Sequence, residues 1–350
     1  EMVKQMEGGL TGIVGVLNFG PGPVLAFRFD MDANELTEAN DPKHRPSHEG
    51  FSSMNPGASH GCGHDGHTAM GLGVARVLSQ IKKHLRGTLK LIFQPAEEGM
   101  RGARPMVDAG VADDVDYFLF PHLGLKLRET GVIATTSGIL STTKLDIDRQ
   151  GVASHPLVSP ERGRNALIAA SAMALAMHSI SPMGEGSGFR VVNVGVLHAG
   201  LHQGIVAPNA HLEVATFADS EALNADLVER VLQIIDGTRA MFGVSATVKK
   251  MGESFSAHCD PEMVDMVKQV GSQIRSLKRV APPIPFGATE DATFFMRKVQ
   301  GRGGKACCVV IGAEISADHH NPFFDFDEKA LDGGTRFLAS LAGKILSSKG

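Results

Sequence analysis

The sequence predicts an α/β protein: an open, largely parallel sheet flanked by helices and interrupted by a smaller α+β domain. Three observations carry this reading. Short apolar runs alternate with helix-like periodicities up to Phe120, and polar, chemistry-bearing residues recur where those runs stop. Beyond Gly138 the order becomes strand, helix, strand, strand, helix, strand, which fits a ferredoxin-like insertion. The 350 residues also exceed the usual size of a single core, so two domains are expected, one over 1–140 and 253–350 and one over 141–252.

Residues 11–17 and 24–29 are β-branched apolar runs on either side of the turn cluster Asn18-Phe19-Gly20-Pro21-Gly22-Pro23, and they read as a strand pair. The second run ends in Asp30-Met31-Asp32, carboxylates just past a strand end, where open α/β sheets carry their sites. A polar loop covers 38–59. From His67 onward, Met70, Leu72, Val74, Val77, Leu78 and Ile81 mark the apolar face of a helix ending near His84. Residues 89–93 form a strand that stops at Gln94-Pro95. Residues 105–109 form a short helix closed by Gly110, and 115–120 a strand that stops at Pro121-His122. In the insertion, strands are expected over 142–148, 190–197, 211–217 and 246–251, with helices over 165–178 and 223–242. A helix over 261–276 follows, then a loop over 286–291 opening a helix through Met296, a buried strand over 306–311 and an amphipathic helix over 329–346.

Lys plus Arg number 34 against 38 Asp plus Glu, a net charge of −4 too near balance to point to a polyanion. Without a Lys/Arg-rich block, no nucleic-acid partner is expected. No run of about 18 apolar residues exists and the first residues lack a signal-peptide core, so no membrane partner is expected either, and the reading is cytoplasmic. Cys62, Cys259, Cys307 and Cys308 do not make a disulfide framework for this length, and free thiols fit a reducing compartment.

Chemistry concentrates in Gly61-Cys62-Gly63-His64-Asp65-Gly66-His67, half of a metal site by composition. Cys62 and His64 share a face if the segment is extended; the alternative is a buried thiol and a hydrogen-bonded loop histidine. Asp65 and His67 either orient ligands or cap the next helix, and for His67 the cap is favoured. Adjacent side chains diverge, so Glu97 and Glu98 suit two tasks, one carboxylate on a metal and its neighbour aimed at a water; the alternative is a solvated acidic turn. His122 and His320 are weak signals singly among 15 histidines. Gly71-Leu72-Gly73 lacks a third glycine and lies inside a helix, and no Gly-x-Ser-x-Gly or Walker sequence is present.

Residues 60–70, with His60-Gly61-Cys62-Gly63-His64-Asp65, and 91–99, with Gln94-Pro95-Ala96-Glu97-Glu98-Gly99, resemble the two signature blocks of the aminoacylase-like metallo-amidohydrolases, a metallopeptidase family. Further blocks at Gly163-Arg164-Asn165, Glu290-Asp291-Ala292-Thr293 and His319-His320-Asn321 extend the resemblance over nearly the whole chain. It implies a zinc-peptidase-like (phosphorylase/hydrolase-like) catalytic domain with an inserted lid or dimerisation domain. It also implies two divalent metal ions per subunit, Zn or Mn, on Cys62, His64, Glu98, His122 and His320. Glu97 would be the general base, and His155 would act on substrate or oxyanion across a homodimer. Asp32 and Asp65 would orient ligands, and the substrate would be an N-acyl amino acid. A second, related subunit is a further implied partner. Two lid positions depart from the family pattern: Gly204 replaces an Asn, and Phe217 stands where an Arg would grip a carboxylate bidentately. The family also carries a segment ahead of Thr11, so the sequence is expected to begin late. Competing readings are a non-catalytic relative that binds amidated amino acids and a structural protein with one zinc.

Overall fold

The computed structural model describes residues 12–180 and 188–347. Two units divide the chain, Glu1–Ile139 with Ala257–Gly350, and Leu140–Ser256. The strands before the insertion are Ile13–Asn18 (β1), Val24–Asp30 (β2), Thr88–Gln94 (β3), Tyr117–Leu123 (β4) and Val132–Gln150 (β5), the last running across the boundary. Arg190–Ala199 (β6), Asn209–Ala218 (β7) and Ser245–Ser254 (β8) belong to the insertion; Arg279–Val280 (β9), Ile284–Thr289 (β10) and Lys305–Ile311 (β11) return to the first unit. The α-helices are α1 (Arg45–Glu49), α2 (His64–Gln80), α3 (Ala103–Asp108), α4 (Ala166–His178), α5 (Glu221–Phe242), α6 (Pro261–Gly271), α7 (Thr293–Gln300) and α8 (Lys329–Ile345).

In the first unit β3, β2, β4 and β11 lie side by side and parallel, with β1 antiparallel on the β3 edge and β5 antiparallel beside β11. The expected hairpin of the first two strands does not form: β3 lies between β1 and β2 and pairs with both. The cluster 18–23 turns the chain, but β2 is buried along nearly its whole length, as a central strand is, and its two edges pair with β3 and β4 instead of β1. The parallel strands all end at one edge, which gathers Asp30, Gln94 and His122.

Alternation sorts the side chains of these strands. Leu25, Phe27, Phe29, Leu89, Leu91, Leu119 and Val309 pack with Met70, Val74 and Leu78 of α2, with Phe337, Leu338 and Leu341 of α8, and with Val267 of α6. The other face of the sheet carries Phe118, stacked 5.3 Å from Phe295 of α7, and Arg28, whose guanidinium lies 5.7 Å from the Phe120 ring.

The insertion is ferredoxin-like. Its strand order is β8, β5, β7, β6, all antiparallel, with α4 and α5 packed on one face through Ile147, Met173, Leu212 and Val231. Asn165 and Ser220 cap the two helices by accepting the N–H of Ile168 and Leu223. Other differences from expectation are local. The 286–291 loop is mostly β10, the polar loop contains α1, α6 stops at Gly271, and β5 extends far beyond 142–148.

Gly71 marks where α2 crosses the sheet. A Cβ there would stand 2.7 Å from Phe29 Cδ2 and 2.8 Å from Phe93 Cε1, in rings stacked 5.7 Å apart. Phe29 is fully buried and has nowhere to retreat. Gly71→Val is therefore expected to cost about 2–3 kcal/mol through overpacking, well above the few tenths it gains in helix propensity. Urea denaturation measures this, and an unchanged midpoint would contradict the packing.

Candidate metal centre

Helix α2 begins at His64, not after His67, because Gly63 adopts the left-handed backbone (φ 80°) and turns the chain into its first turn. The segment is thus not extended, and Cys62 and His64 converge by this turn instead of by alternation. Both are buried. His64 Nδ1 faces Asp32, 3.2 Å from its carbonyl oxygen and 3.3 Å from Oδ1. Nε2 then faces three carboxylate oxygens: Asp30 Oδ2 at 3.7 Å, Glu98 Oε1 at 3.8 Å and Glu97 Oε2 at 4.0 Å.

Glu97 and Glu98 sit in the loop after β3, with Ala96 (φ 56°) and Met100 (φ 54°) in the left-handed region. The Glu98 N–H donates to Asp32 Oδ2 at 3.0 Å. The two side chains diverge: Glu98 Oε2 lies 3.4 Å from His320 Nε2, whereas Glu97 groups with Glu290 and Asp291. On the other side Cys62 Sγ lies 3.7 Å from His122 Nε2, and His122 Nδ1 donates to the Leu123 carbonyl at 3.0 Å. Cys62, His64 and His122 form one cluster, and Cys62, Glu98 and His320 form another that shares the thiol.

The structure thus brings together Cys62, His64, Glu97, Glu98, His122 and His320, with Asp32 against His64. Asp65 is not among them. It is exposed and lines a cavity of about 290 Å³ with Phe51, Met54, Phe324 and Phe326, because it points off the opposite side of the first helical turn. His155 belongs to the second unit, in an exposed loop where its Nδ1 accepts the N–H of Leu157 and Val158, both at 3.2 Å. Gly204 lies in a turn whose N–H reaches His202 Nδ1, and Phe217 is half-buried on β7 opposite Thr142 and Val191. His67 is no cap: it is fully buried, its Nδ1 on Asp30 and its Nε2 accepting the Leu123 N–H at 2.8 Å.

Sequence reasoning missed the network beneath these groups. Arg28, wholly buried in β2, donates to Asp30 at 2.6 Å, Gln94 at 2.8 Å, and Glu290 and Asp291 at 3.2 Å. Asp291 also accepts the N–H of Gly102 and Ala103, each at 2.9 Å, and so fastens the far end of the Glu97–Glu98 loop. An arginine inside an apolar strand is itself a signal, since arginine is almost never fully buried unless paired.

Six carboxylates, Asp30, Asp32, Glu97, Glu98, Glu290 and Asp291, crowd this edge, and among the described residues Arg28 is the permanent cation bonded into them. Burial, then the charges of Glu290 and Asp291, push Glu97 well above the usual carboxylate range. Burial alone would lower His64, but the Asp30 charge and the Asp32 hydrogen bond overcome it and raise it to about 9. Burial, with Glu98 and Glu97 next, drives the Cys62 thiol well up. A divalent cation answers each of these demands. His64 Nε2 is buried with no hydrogen-bond partner, ringed by oxygens too far to bond to it directly. Thiol, imidazole and carboxylate donors meeting at such a point fit a metal.

The sequence pattern of Peptidase family M20/M25/M40 matches residues 26–344. The chain is 44% identical over 347 residues to a p-aminobenzoyl-glutamate hydrolase subunit of Escherichia coli (strain K12), covering 98% of this chain and 78% of that protein. It is 46% identical over 345 residues to indole-3-acetyl-aspartic acid hydrolase of Enterobacter agglomerans, covering 97% and 78%. Among solved structures, an aminobenzoyl-glutamate utilization protein from Klebsiella pneumoniae superposes with a TM-score of 0.77 at 36% identity, over 98% of this chain and 77% of that one. A dinuclear metal binding peptidase of Bacillus subtilis gives 0.70 at 25% identity, over 96% and 85%. The chain belongs to peptidase family M20/M25/M40 and is a metal-dependent amidohydrolase.

Removing Arg28 would strand several buried carboxylates. Arg28→Met is expected to lower stability by about 3–5 kcal/mol, and Arg28→Lys to restore it only in part, because one ammonium cannot reach Asp30, Gln94 and Asp291 together. Chemical denaturation of the metal-free protein measures both; a stable Met variant would contradict the network.

Proposed function

We propose that this protein hydrolyses the amide bond of an N-acyl amino acid, with an aromatic acyl group on an acidic amino acid as the preferred class. The names of two relatives, an aminobenzoyl-glutamate hydrolase and an indole-acetyl-aspartate hydrolase, support that class. The observation that carries the reading is the orphaned His64 Nε2 facing Glu97 and Glu98, beside Cys62, His122 and His320.

In this reading Cys62, His64, Glu98, His122 and His320 hold two divalent ions. The thiol and imidazoles favour zinc and the carboxylate also suits manganese, so elemental analysis of protein purified without chelator chooses between them. When bound, the ions supply Lewis-acid polarisation of the scissile carbonyl and acidify water. Asp32 holds His64 through Nδ1, which leaves Nε2 as the donor atom.

Glu97 takes the proton of the attacking water and passes it to the leaving amine nitrogen. Its burial and its acidic neighbours make it a stronger base than an exposed carboxylate. His155 is assigned to the oxyanion, supplied by the second unit of a partner copy. Because its Nδ1 accepts two main-chain N–H groups, the neutral ring carries its proton on Nε2, the nitrogen free to donate. We assign the assembly as a dimer formed through the second unit, either with a second copy or with a related subunit. The four free cysteines fit a cytoplasmic location, and among the described residues no helix is long and apolar enough to cross a membrane.

Glu97→Gln is expected to lower kcat by about 10²–10⁴-fold while the metal content stays at two ions per chain. Amine release from N-aroyl glutamates and N-arylacetyl aspartates, assayed with Zn or Mn added, is the measurement. Wild-type-like turnover in the variant would refute the base. Thermal stabilisation of the wild type by these amides with no product would favour a non-catalytic binder.

A further inference from the structure

His67 has no task in the chemistry just described, yet it is fully buried and makes two directed hydrogen bonds. The N–H of Leu123 can only donate, so the Nε2 that receives it carries a lone pair. The ring proton is therefore on Nδ1, where it is donated to Asp30, itself held by Arg28. Burial favours this neutral ring.

What this bond does follows from the strand it reaches. Pairing of β2 with β4 covers Tyr117–Leu119 and then stops. Two residues on, Pro121 has no N–H to offer. Two residues further, the Leu123 N–H goes to His67. The end of β4 stays paired with β11, and on its other edge the imidazole takes the place that β2 has vacated. The Leu123 carbonyl in turn accepts from His122 Nδ1 at 3.0 Å and His319 Nε2 at 3.1 Å. The first of these bonds leaves His122 Nε2 unprotonated, 3.7 Å from Cys62 Sγ. One residue's main chain orients two imidazoles, and His67 holds that main chain in place.

We propose that His67 is a positioning residue for the metal centre: by accepting the Leu123 N–H, it fixes the end of β4 where His122 presents Nε2 beside Cys62. The proposal rests on the reading of Cys62 and His122 as metal ligands. The operative contact is the one to Leu123, and the bond to Asp30 sets the tautomer that makes it.

Two near-isosteric variants separate these bonds. His67→Gln keeps an acceptor at the reach of Nε2, and His67→Asn keeps a donor at the reach of Nδ1 but cannot touch Leu123. The probe is Co(II) added to metal-free protein. Wild type is expected to bind two ions with a thiolate-to-cobalt charge-transfer band from Cys62. The Gln variant should keep the band and an affinity within about threefold of wild type, whereas the Asn variant should weaken one ion by about 10–100-fold and shift or lose the band. In the metal-free proteins, amide exchange at Leu123 should be slow in wild type and Gln and at least about tenfold faster in Asn.

Indistinguishable behaviour of the two variants beside a normal wild type overturns the proposal alone. Absence of the charge-transfer band in wild type overturns the ligand reading and the proposal with it. Should a variant fail to fold, wild-type protein ¹⁵N-labelled at histidine decides. His67 Nε2 must resonate as an unprotonated nitrogen near neutral pH, and the opposite tautomer overturns the proposal.

Discussion

Negative charge taken out of water is the constraint from which the rest of this structure follows. An unpaired buried carboxylate costs several kcal/mol, and six acidic side chains meet at one edge of the sheet. Arg28 compensates part of that charge from inside β2, bonded to three of the acids and to Gln94. The remainder gathers in side-chain clusters of the kind that hold a metal ion, among them His64, Glu98 and Cys62. Arg28 stays charged at any accessible pH. It pairs Asp30, Glu290 and Asp291, while Glu98 is left facing His64 and His320 and Glu97 stands between the two groups.

The loop after β3 shows how two adjacent carboxylates acquire different surroundings. Left-handed backbone at Ala96 and at Met100 costs of order 1 kcal/mol or more each. That strain is offset from both sides, by the Glu98 N–H on Asp32 and by the Gly102 and Ala103 N–H groups on Asp291. Each of these charge-assisted bonds contributes about 1.5–3 kcal/mol. The outcome is that Glu97 turns toward the Arg28 network and Glu98 toward His320. Asp32 and Asp291 thus hold the loop as firmly as they hold charge.

Much of this was legible in the sequence because the informative residues are punctuated. Gln94-Pro95 ends β3, and although β4 runs on through Pro121 and His122 to Leu123, both motifs fall at the edge where the parallel strands end. The βαββαβ order of the insertion was equally plain, since each helix there has a cap and each strand alternates. Pairing was less accessible. The run 11–17 and the run 24–29 are neighbours in sequence and not in the sheet, because pairing depends on which strand covers an edge, a property of the whole sheet. The bond between Arg28 and Asp291 escaped notice for a related reason. A charge in a strand looks like a surface residue until its partner, here 263 residues away, is known. His67 was misjudged through the helix start: Gly63 brings α2 forward to His64, and a residue expected before the helix is inside it, facing the sheet.

His320 shows the same economy of backbone at the opposite wall of the centre. It is a non-glycine residue at φ 61°, a conformation that persists only where its surroundings fix it. Three contacts do so: the His320 N–H donates to the Gly61 carbonyl at 2.8 Å, His319 Nε2 reaches the Leu123 carbonyl, and the Phe324 N–H closes onto Asn321. A Cβ at Gly61 would lie 2.9 Å from Leu36 Cδ2 and 3.1 Å from Asn34 Oδ1, so a larger residue there would press on the 34–36 segment beside the thiol. The residue before Cys62 and the residue bearing the last imidazole are thereby joined main chain to main chain. The strain at His320 is sustained by the segment that carries the thiol, so a change that loosens one side of the centre should loosen the other.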